Sequence, residues 1–262
     1  MHIVTLTSDW SNDDFYSGAV KGALLSRCQN IHIETLSKAI KPFRISEAAF
    51  IVRNAYHHFP EGSIHIIAVG TDPEQDTTLL AARINGHYFL TADNGILGLL
   101  GDSEVTEIIE INRRDEGPGT FPTLEIFTEI ACKLIEGEKL KELGKTVDSF
   151  KKQVPLRATL ENDTITGSVI YIDSYGNAIT NISRELFDRI QQNREFSIYV
   201  QSKHYKINQL NKRYSETQPG DLMAIFNSLQ LLEIAIRNGS AKDLLNLNTD
   251  STVRVEFNAK QK

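Results

Sequence analysis

The sequence predicts an α/β N-terminal domain followed by an all-β domain, and three observations lead there. The first half alternates short apolar runs with helix-period segments, the pattern of a mostly parallel sheet covered on both faces. The second half changes texture, with strand after strand separated by turns such as Tyr175-Gly-Asn177 and Gln218-Pro-Gly-Asp221. A polar, Lys/Glu-rich stretch lies between them. The 262 residues also suit about two domains, since a typical one holds ~150. The expected division is 1–138 for the α/β domain, 139–158 for a linker and 159–262 for a small barrel or sandwich.

The elements follow in order. His2–Thr7 is a short apolar strand that stops at a polar cluster, Ser8 to Asp14. Tyr16–Cys28 has helical spacing, with Val20, Ala23, Leu24 and Cys28 on one face. Ile31–Leu36 alternates as a strand. Pro42 and Ser46 then open a second helix, with Ser46 as its expected N-cap. Pro60-Glu-Gly62 ends that helix, and Ile64–Val69 reads as a buried strand. Leu79–Ile84 and His87–Thr91 flank Asn85-Gly86, a dipeptide suited to a type I′ hairpin. Asp93-Asn-Gly95 turns the chain, Val105–Ile111 is a strand, and Leu124–Ile135 is helical. Beyond the partly helical connector, strands are expected at 164–173, 196–201, 204–210, 222–226, 231–237 and 252–257, with one helix at 184–191.

Composition excludes classes rather than naming one. Hydrophobic residues make up 40% and charged ones 24%, an ordinary globular balance. No apolar run approaches the ~20 residues of a membrane span, and the opening ten residues lack the pattern of a secretory signal. A net charge of −6 without a Lys/Arg stripe argues against nucleic acid. Cys28 and Cys132 lie too far apart for a metal knuckle or redox motif. They read as reduced core residues, and a cytoplasmic location is the expectation.

Several motifs fail. Gly144-Lys-Thr146 resembles the tail of a phosphate loop, but Gly137 is two residues too early and no strand precedes it. No G-x-G-x-x-G is present. Asp72-Pro-Glu74-Gln-Asp76 begins like a calcium loop yet has Thr77 and Arg83 where glycine and glutamate belong. His57-His58 near a helix end reads as structural, and no metal is expected.

The polar clusters that remain share one feature: each sits where a strand ends, the usual ligand edge of an α/β sheet. Asp9 follows the first strand, and a carboxylate there can accept hydrogen bonds from both hydroxyls of a ribose; a helix N-cap is the competing reading, which Asp14 fits better. Asp173-Ser-Tyr175-Gly-Asn177 ends a later strand. Its Asn and aromatic suit an adenine, although composition alone favours a structural turn. From the residues alone, the chain reads as a two-domain protein, with a nucleoside-like site and plain structural turns both left open for these clusters.

In order, these clusters resemble one family, the S-adenosyl-L-methionine (SAM) hydroxide adenosyltransferases, or SAM hydrolases, with the related fluorinases and chlorinases. Residues 5–22, from Thr5 through Asp9, Asp14 and Tyr16 to Gly22, look like L-T-T-D-F-G-x-x-D-x-Y-V-G-x-M-K-G. Phe59-Pro-Glu-Gly62-Ser-Ile-His65 is similar to F-P-x-G-T-V-H, and the stretch from Tyr88 to Leu97 to Y-F-V-A-P-D-N-G-L-L. Residues 167–182 resemble G-x-V-x-x-I-D-x-F-G-N-x-x-T-N-I, and Leu232 to Ala241 resembles L-E-I-A-x-x-x-G-S-A.

The resemblance implies a Rossmann-like N-terminal domain, a C-terminal β-barrel and a homotrimer. SAM or adenosine would lie between the N-terminal domain of one subunit and the C-terminal domain of the next. By position, Asp9 would hold the ribose diol, with Trp10, Tyr16 and Phe43 in the same wall. Asp173, Tyr175 and Asn177 would meet the methionine end and adenine, Tyr214 and Ser228 would complete the pocket, and Asn238 lies in the adenine-reading loop. No cofactor beyond SAM as substrate is implied.

The chain departs from the family at the water-handling Asp, Arg and His, where it carries Gly70, Thr77 and Pro122. Removing a base and a cation costs orders of magnitude in rate. The expectation is therefore slow hydrolysis of SAM to adenosine and L-methionine, with Thr71, Asp72 or Thr123 holding water. The alternative is SAM or adenosine binding without turnover. Halogenation ranks last, because Asp72, Glu74 and Asp76 make the loop anionic.

Overall fold

A computed structural model describes residues 1–11, 13–37, 40–71, 78–100, 105–111 and 119–258. The chain divides into two compact units, Met1–Pro155 and Leu156–Lys262.

The first unit is an α/β layer structure. Its strands are β1 (His2–Ser8), β2 (Ile31–Ser37), β3 (Ile64–Ala68), β4 (Leu79–Ile84), β5 (His87–Ala92), β6 (Val105–Ile111) and β7 (Gly144–Thr146), in the order β2-β1-β3-β5-β4-β6-β7. The pairs β2–β1, β1–β3 and β3–β5 are parallel; β5–β4, β4–β6 and β6–β7 are antiparallel. Helices α1 (Tyr16–Arg27) and α4 (Thr128–Ile135) share one hydrophobic core with one sheet face. Helices α2 (Ile45–Ala55) and α3 (Ile96–Leu99) share a second core with the other face. Every residue of β3 is buried, as a strand covered on both sides must be.

Several local expectations change. Ser46 falls inside α2 rather than ahead of it, since the helix starts at Ile45. Asp14 does not cap α1; its Oδ2 accepts from the Ser11 N–H at 3.1 Å, while Phe15 holds the N-cap position. The hairpin at Asn85-Gly86 matches its sequence signal, with φ of 49° and 80°. The segment expected to be a linker begins within the first unit, because β7 pairs with β6 and a short 3-10 turn covers Leu140–Glu142.

Cys28 and Cys132 form a disulfide, which corrects the reduced state expected for them. Their separation of 104 residues gives no hint of proximity, yet α1 and α4 lie side by side and bring the Cα atoms to 5.4 Å. The cysteine argument for a cytoplasmic location falls with it. Among the described residues, no helix is long and apolar enough to cross a membrane.

The second unit is a nearly closed antiparallel barrel. Its strands are β8 (Thr159–Glu161), β9 (Thr164–Ile172), β10 (Ala178–Ser183), β11 (Phe196–Val200), β12 (Ser202–Ile207), β13 (Leu222–Phe226), β14 (Leu231–Ile236) and β15 (Thr252–Phe257). The order is β12-β11-β15-β9-β10-β14-β13, with β8 on β9, and β12 and β13 approach each other at the two ends. Helix α5 (Arg184–Gln191) starts at a true cap, where Ser183 Oγ accepts from the Leu186 N–H at 3.2 Å. The short α6 (Ala241–Leu245) follows β14.

Candidate functional site

The order β2-β1-β3 places a switch point between β1 and β3, because the chain leaves β1 for one side and returns on the other. A crevice outside the carboxyl ends of such strands is the general ligand position in open α/β sheets. A cleft of about 310 Å³ lies there, lined by residues that include Asp9, Trp10, Tyr16, Phe43, Thr71 and Phe121. That volume is at the lower end of small-molecule sites.

Each wall has a local cause. Asp9 is the first residue beyond β1, and its Oδ2 accepts from the Phe43 N–H at 2.8 Å. A carboxylate offers about four acceptor positions, so this bond leaves room for a diol. Phe43 has φ of +63°, a left-handed conformation that costs a bulky residue about 1–2 kcal/mol. Its ring is 69% exposed, so the strain is offset by the Asp9 bond and not by burial. Trp10, Tyr16 and Phe121 form a triangle with ring centroids 5.9, 5.3 and 5.2 Å apart, two of the contacts edge-on. Phe121 is a wall residue that sequence reasoning missed.

The floor is set by Gly70 and the start of the α4 segment. Gly70 follows β3 with φ of +58°. The Asn94 amide donates to the Val69 and Gly70 carbonyls at 3.0 and 3.3 Å, while Asn94 Oδ1 accepts from the Ile96 N–H at 3.2 Å. Asn94 thus fixes the floor, although the sequence marked it as part of a turn and of the Tyr88–Leu97 motif without giving it a role. Pro122 opens the helical stretch, whose first turns, Thr123–Phe127, are π-helical, a widening frequent at functional sites. The Thr123 hydroxyl is fully buried without a protein hydrogen-bond partner among the described residues. Thr71 lines the cleft, and Asp72 lies outside the described residues.

The barrel unit holds the other expected residues. Asp173 Oδ1 accepts from the Tyr175 and Asn177 N–H groups, both at 2.9 Å, and its Oδ2 accepts from Asn177 Nδ2 at 3.0 Å. Asp173 and Asn177 therefore build a self-satisfied turn, and Tyr175 at its tip is 79% exposed. Gly176 is required there: φ is +79°, and a Cβ would collide with Ser240 Oγ. Asn238 lies exposed in the neighbouring turn, also left-handed at +54°.

Tyr214 Oη donates to Glu233 Oε1 at 2.6 Å, and Asn227 Nδ2 donates to Glu233 Oε2 at 3.0 Å. Burial first, then Glu233 and the nearby Asp173, raise the Tyr214 pKa, so the phenol stays a donor. Ser228 lies beside Asn227 in the β13–β14 turn. Glu233 was overlooked as a site residue; a lone carboxylate inside the apolar run Leu231–Ile236 was its signal.

Comparison with known proteins bears on both units. The SAM hydroxide adenosyltransferase N-terminal domain matches residues 4–144, and the C-terminal domain of the same family matches 167–254. A (R)-S-adenosyl-L-methionine hydrolase from Methanocaldococcus jannaschii is 27% identical, over 95% of this chain and 93% of that protein. One of the same name from Thermus thermophilus is 26% identical, over 97% and 100%. A solved structure of an uncharacterized conserved protein from Thermotoga maritima superposes with a TM-score of 0.87 at 22% identity, covering 97% of this chain and 99% of that one, and shows the shared fold.

Proposed function

The chain belongs to the SAM hydroxide adenosyltransferase family, and from that premise we propose that it hydrolyses SAM to adenosine and L-methionine. The observation that carries this is the cleft at the β1/β3 switch point. It gathers Asp9, Trp10, Tyr16 and Phe43, the positions that the family resemblance assigns to the nucleoside.

In the reaction, water attacks C5′ and the C5′–S bond breaks with its electron pair going to sulfur. Methionine leaves as a neutral thioether, so no general acid is needed. The attacking oxygen gives up a proton to solvent. The protein must align the reactants and exclude competing water. Asp9 holds the ribose, the aromatic triangle shields one side, and the Thr71 hydroxyl, which lines the cleft, orients the attacking water. A threonine hydroxyl is a poor base, which makes the reaction slow. Three copies assemble as a homotrimer, with Asp173, Tyr175, Asn177, Tyr214, Ser228 and Asn238 of one copy facing the Asp9 cleft of another.

A second reading, binding without turnover, is favoured by one observation: Gly70 and Pro122 stand where an acid and a histidine handle water elsewhere in the family. Chromatography of SAM incubated with stoichiometric protein separates the readings. Equal amounts of adenosine and methionine, abolished by Asp9→Ala, are expected. Binding without product supports the second reading, and neither product nor binding overturns both. Light scattering should return three chain masses.

A further inference from the structure

Strand β14 directs Leu232, Ile234 and Ile236 into the barrel core, so the period of two puts Glu233 on the opposite face beside Ala235. Across the neighbouring strand it meets Ile225. The Glu233 side chain is only 2% exposed, and among the described residues no cation pairs with it. A buried carboxylate held by neutral donors alone is costly. Such a residue needs a reason.

The hydrogen-bond directions supply one. Asn227 Oδ1 accepts from the Leu229 N–H at 3.0 Å and the Leu231 N–H at 3.3 Å, which fixes the orientation of its amide. Asn227 Nδ2 must then donate to Glu233, and the Tyr214 phenol donates to the other oxygen. As a carboxylate, Glu233 accepts at both ends; a glutamine keeps the Asn227 bond through its oxygen and reverses the Tyr214 bond, since a phenol both donates and accepts, whereas an apolar residue keeps neither. Glu233 thereby fastens two loops to one strand: the Tyr214–Glu216 turn and the β13–β14 turn that carries Ser228.

We propose that Glu233 is the positioning residue of the barrel-side half of the site, setting Tyr214 and Ser228 in the geometry that receives the ligand. This rests on the reading that those two residues meet SAM. Glu233 itself touches no substrate. Its effect therefore falls on KM and on loop order rather than on the chemical step.

The test uses Glu233→Leu, the conservative Glu233→Gln, and the unaltered protein. Leucine leaves the Asn227 amide and the Tyr214 phenol without their shared partner, while glutamine keeps both bonds with Tyr214 accepting instead of donating. Glu233→Leu should speed amide exchange at 211–217 and 227–230 and raise KM for SAM about tenfold, with kcat within about twofold. Glu233→Gln should hold exchange near that of the unaltered protein and KM within about threefold of it. Unchanged exchange in Glu233→Leu, or no rescue by glutamine relative to leucine, overturns the proposal. If exchange responds and is rescued but the unaltered protein neither binds nor hydrolyses SAM, the functional reading fails while the fastening role of Glu233 stands.

Discussion

The Asp9 end of the first unit and the Asp173 turn of the second follow opposite rules. Around Asp9, polar groups and rings are left open: among the described residues, one carboxylate oxygen without a protein bond, the buried Ser8 hydroxyl beside it without a partner, and the exposed Phe43 on a left-handed backbone. Around Asp173, hydrogen bonds close on themselves, and Glu233 ties down the neighbouring loops. On the proposed reading, the chemistry lies with the open groups of the first unit, and the second supplies a receiving surface whose own hydrogen bonds are already satisfied. Strain is tolerated where the surroundings over-determine it, and here Asp9 does so for Phe43.

The first unit is also the one carrying stabilising devices that the barrel lacks, which allows the contrast to be broken deliberately. The disulfide closes a loop of about 100 residues, worth roughly 4–5 kcal/mol if loop entropy dominates. Reduction, or Cys28→Ser, should lower the unfolding free energy of the first unit by up to that amount and leave the barrel unchanged. Trp10 is the only tryptophan and lies in the first unit, so its fluorescence in a denaturant titration follows that unit alone. Equal loss in both units would erase the distinction.

A smaller effect comes from acid. His65 Nδ1 is 2.7 Å from Thr5 Oγ1, and its Nε2 is 3.1 Å from His87 Nδ1. Burial, with His87 adding to it, pushes the His65 imidazole down to about 3. Burial and His57 lower His87, against the opposing pull of Glu61. The folded form therefore binds fewer protons than the unfolded one. The stabilisation is full above pH ~6.5 and is lost progressively as pH falls toward 3. Between pH 7 and 5, His65 alone should cost the first unit about 2 kcal/mol. The Trp10 transition measured at both pH values checks this, and a flat response would contradict it.

Much of this was legible in the sequence. Alternating strands and helices marked out the first unit, Asn85-Gly86 marked its hairpin, and Asp9, Trp10, Tyr16 and Phe43 do meet in one cleft. Strand β10 escaped because Thr180, Asn181 and Ser183 interrupt its apolar pattern. Burial there is paid for by the Thr180 hydroxyl, which donates to the Leu232 carbonyl at 2.8 Å. β7 is too short and polar to announce itself and exists through its pairing with β6. Partnerships across long separations left no local trace either: Cys28 with Cys132, Asn94 with Gly70, Tyr214 with Glu233. Each depends on packing that only the folded chain supplies.

A crystal of this protein grown with SAM, or soaked in it, tests the central claim most directly. Density for the adenosyl group should lie at the ends of β1 and β3, with both ribose hydroxyls on the Asp9 carboxylate and the Trp10–Tyr16–Phe121 wall beside it. Density elsewhere on the chain at saturating SAM, or a ribose turned away from Asp9, would contradict the account.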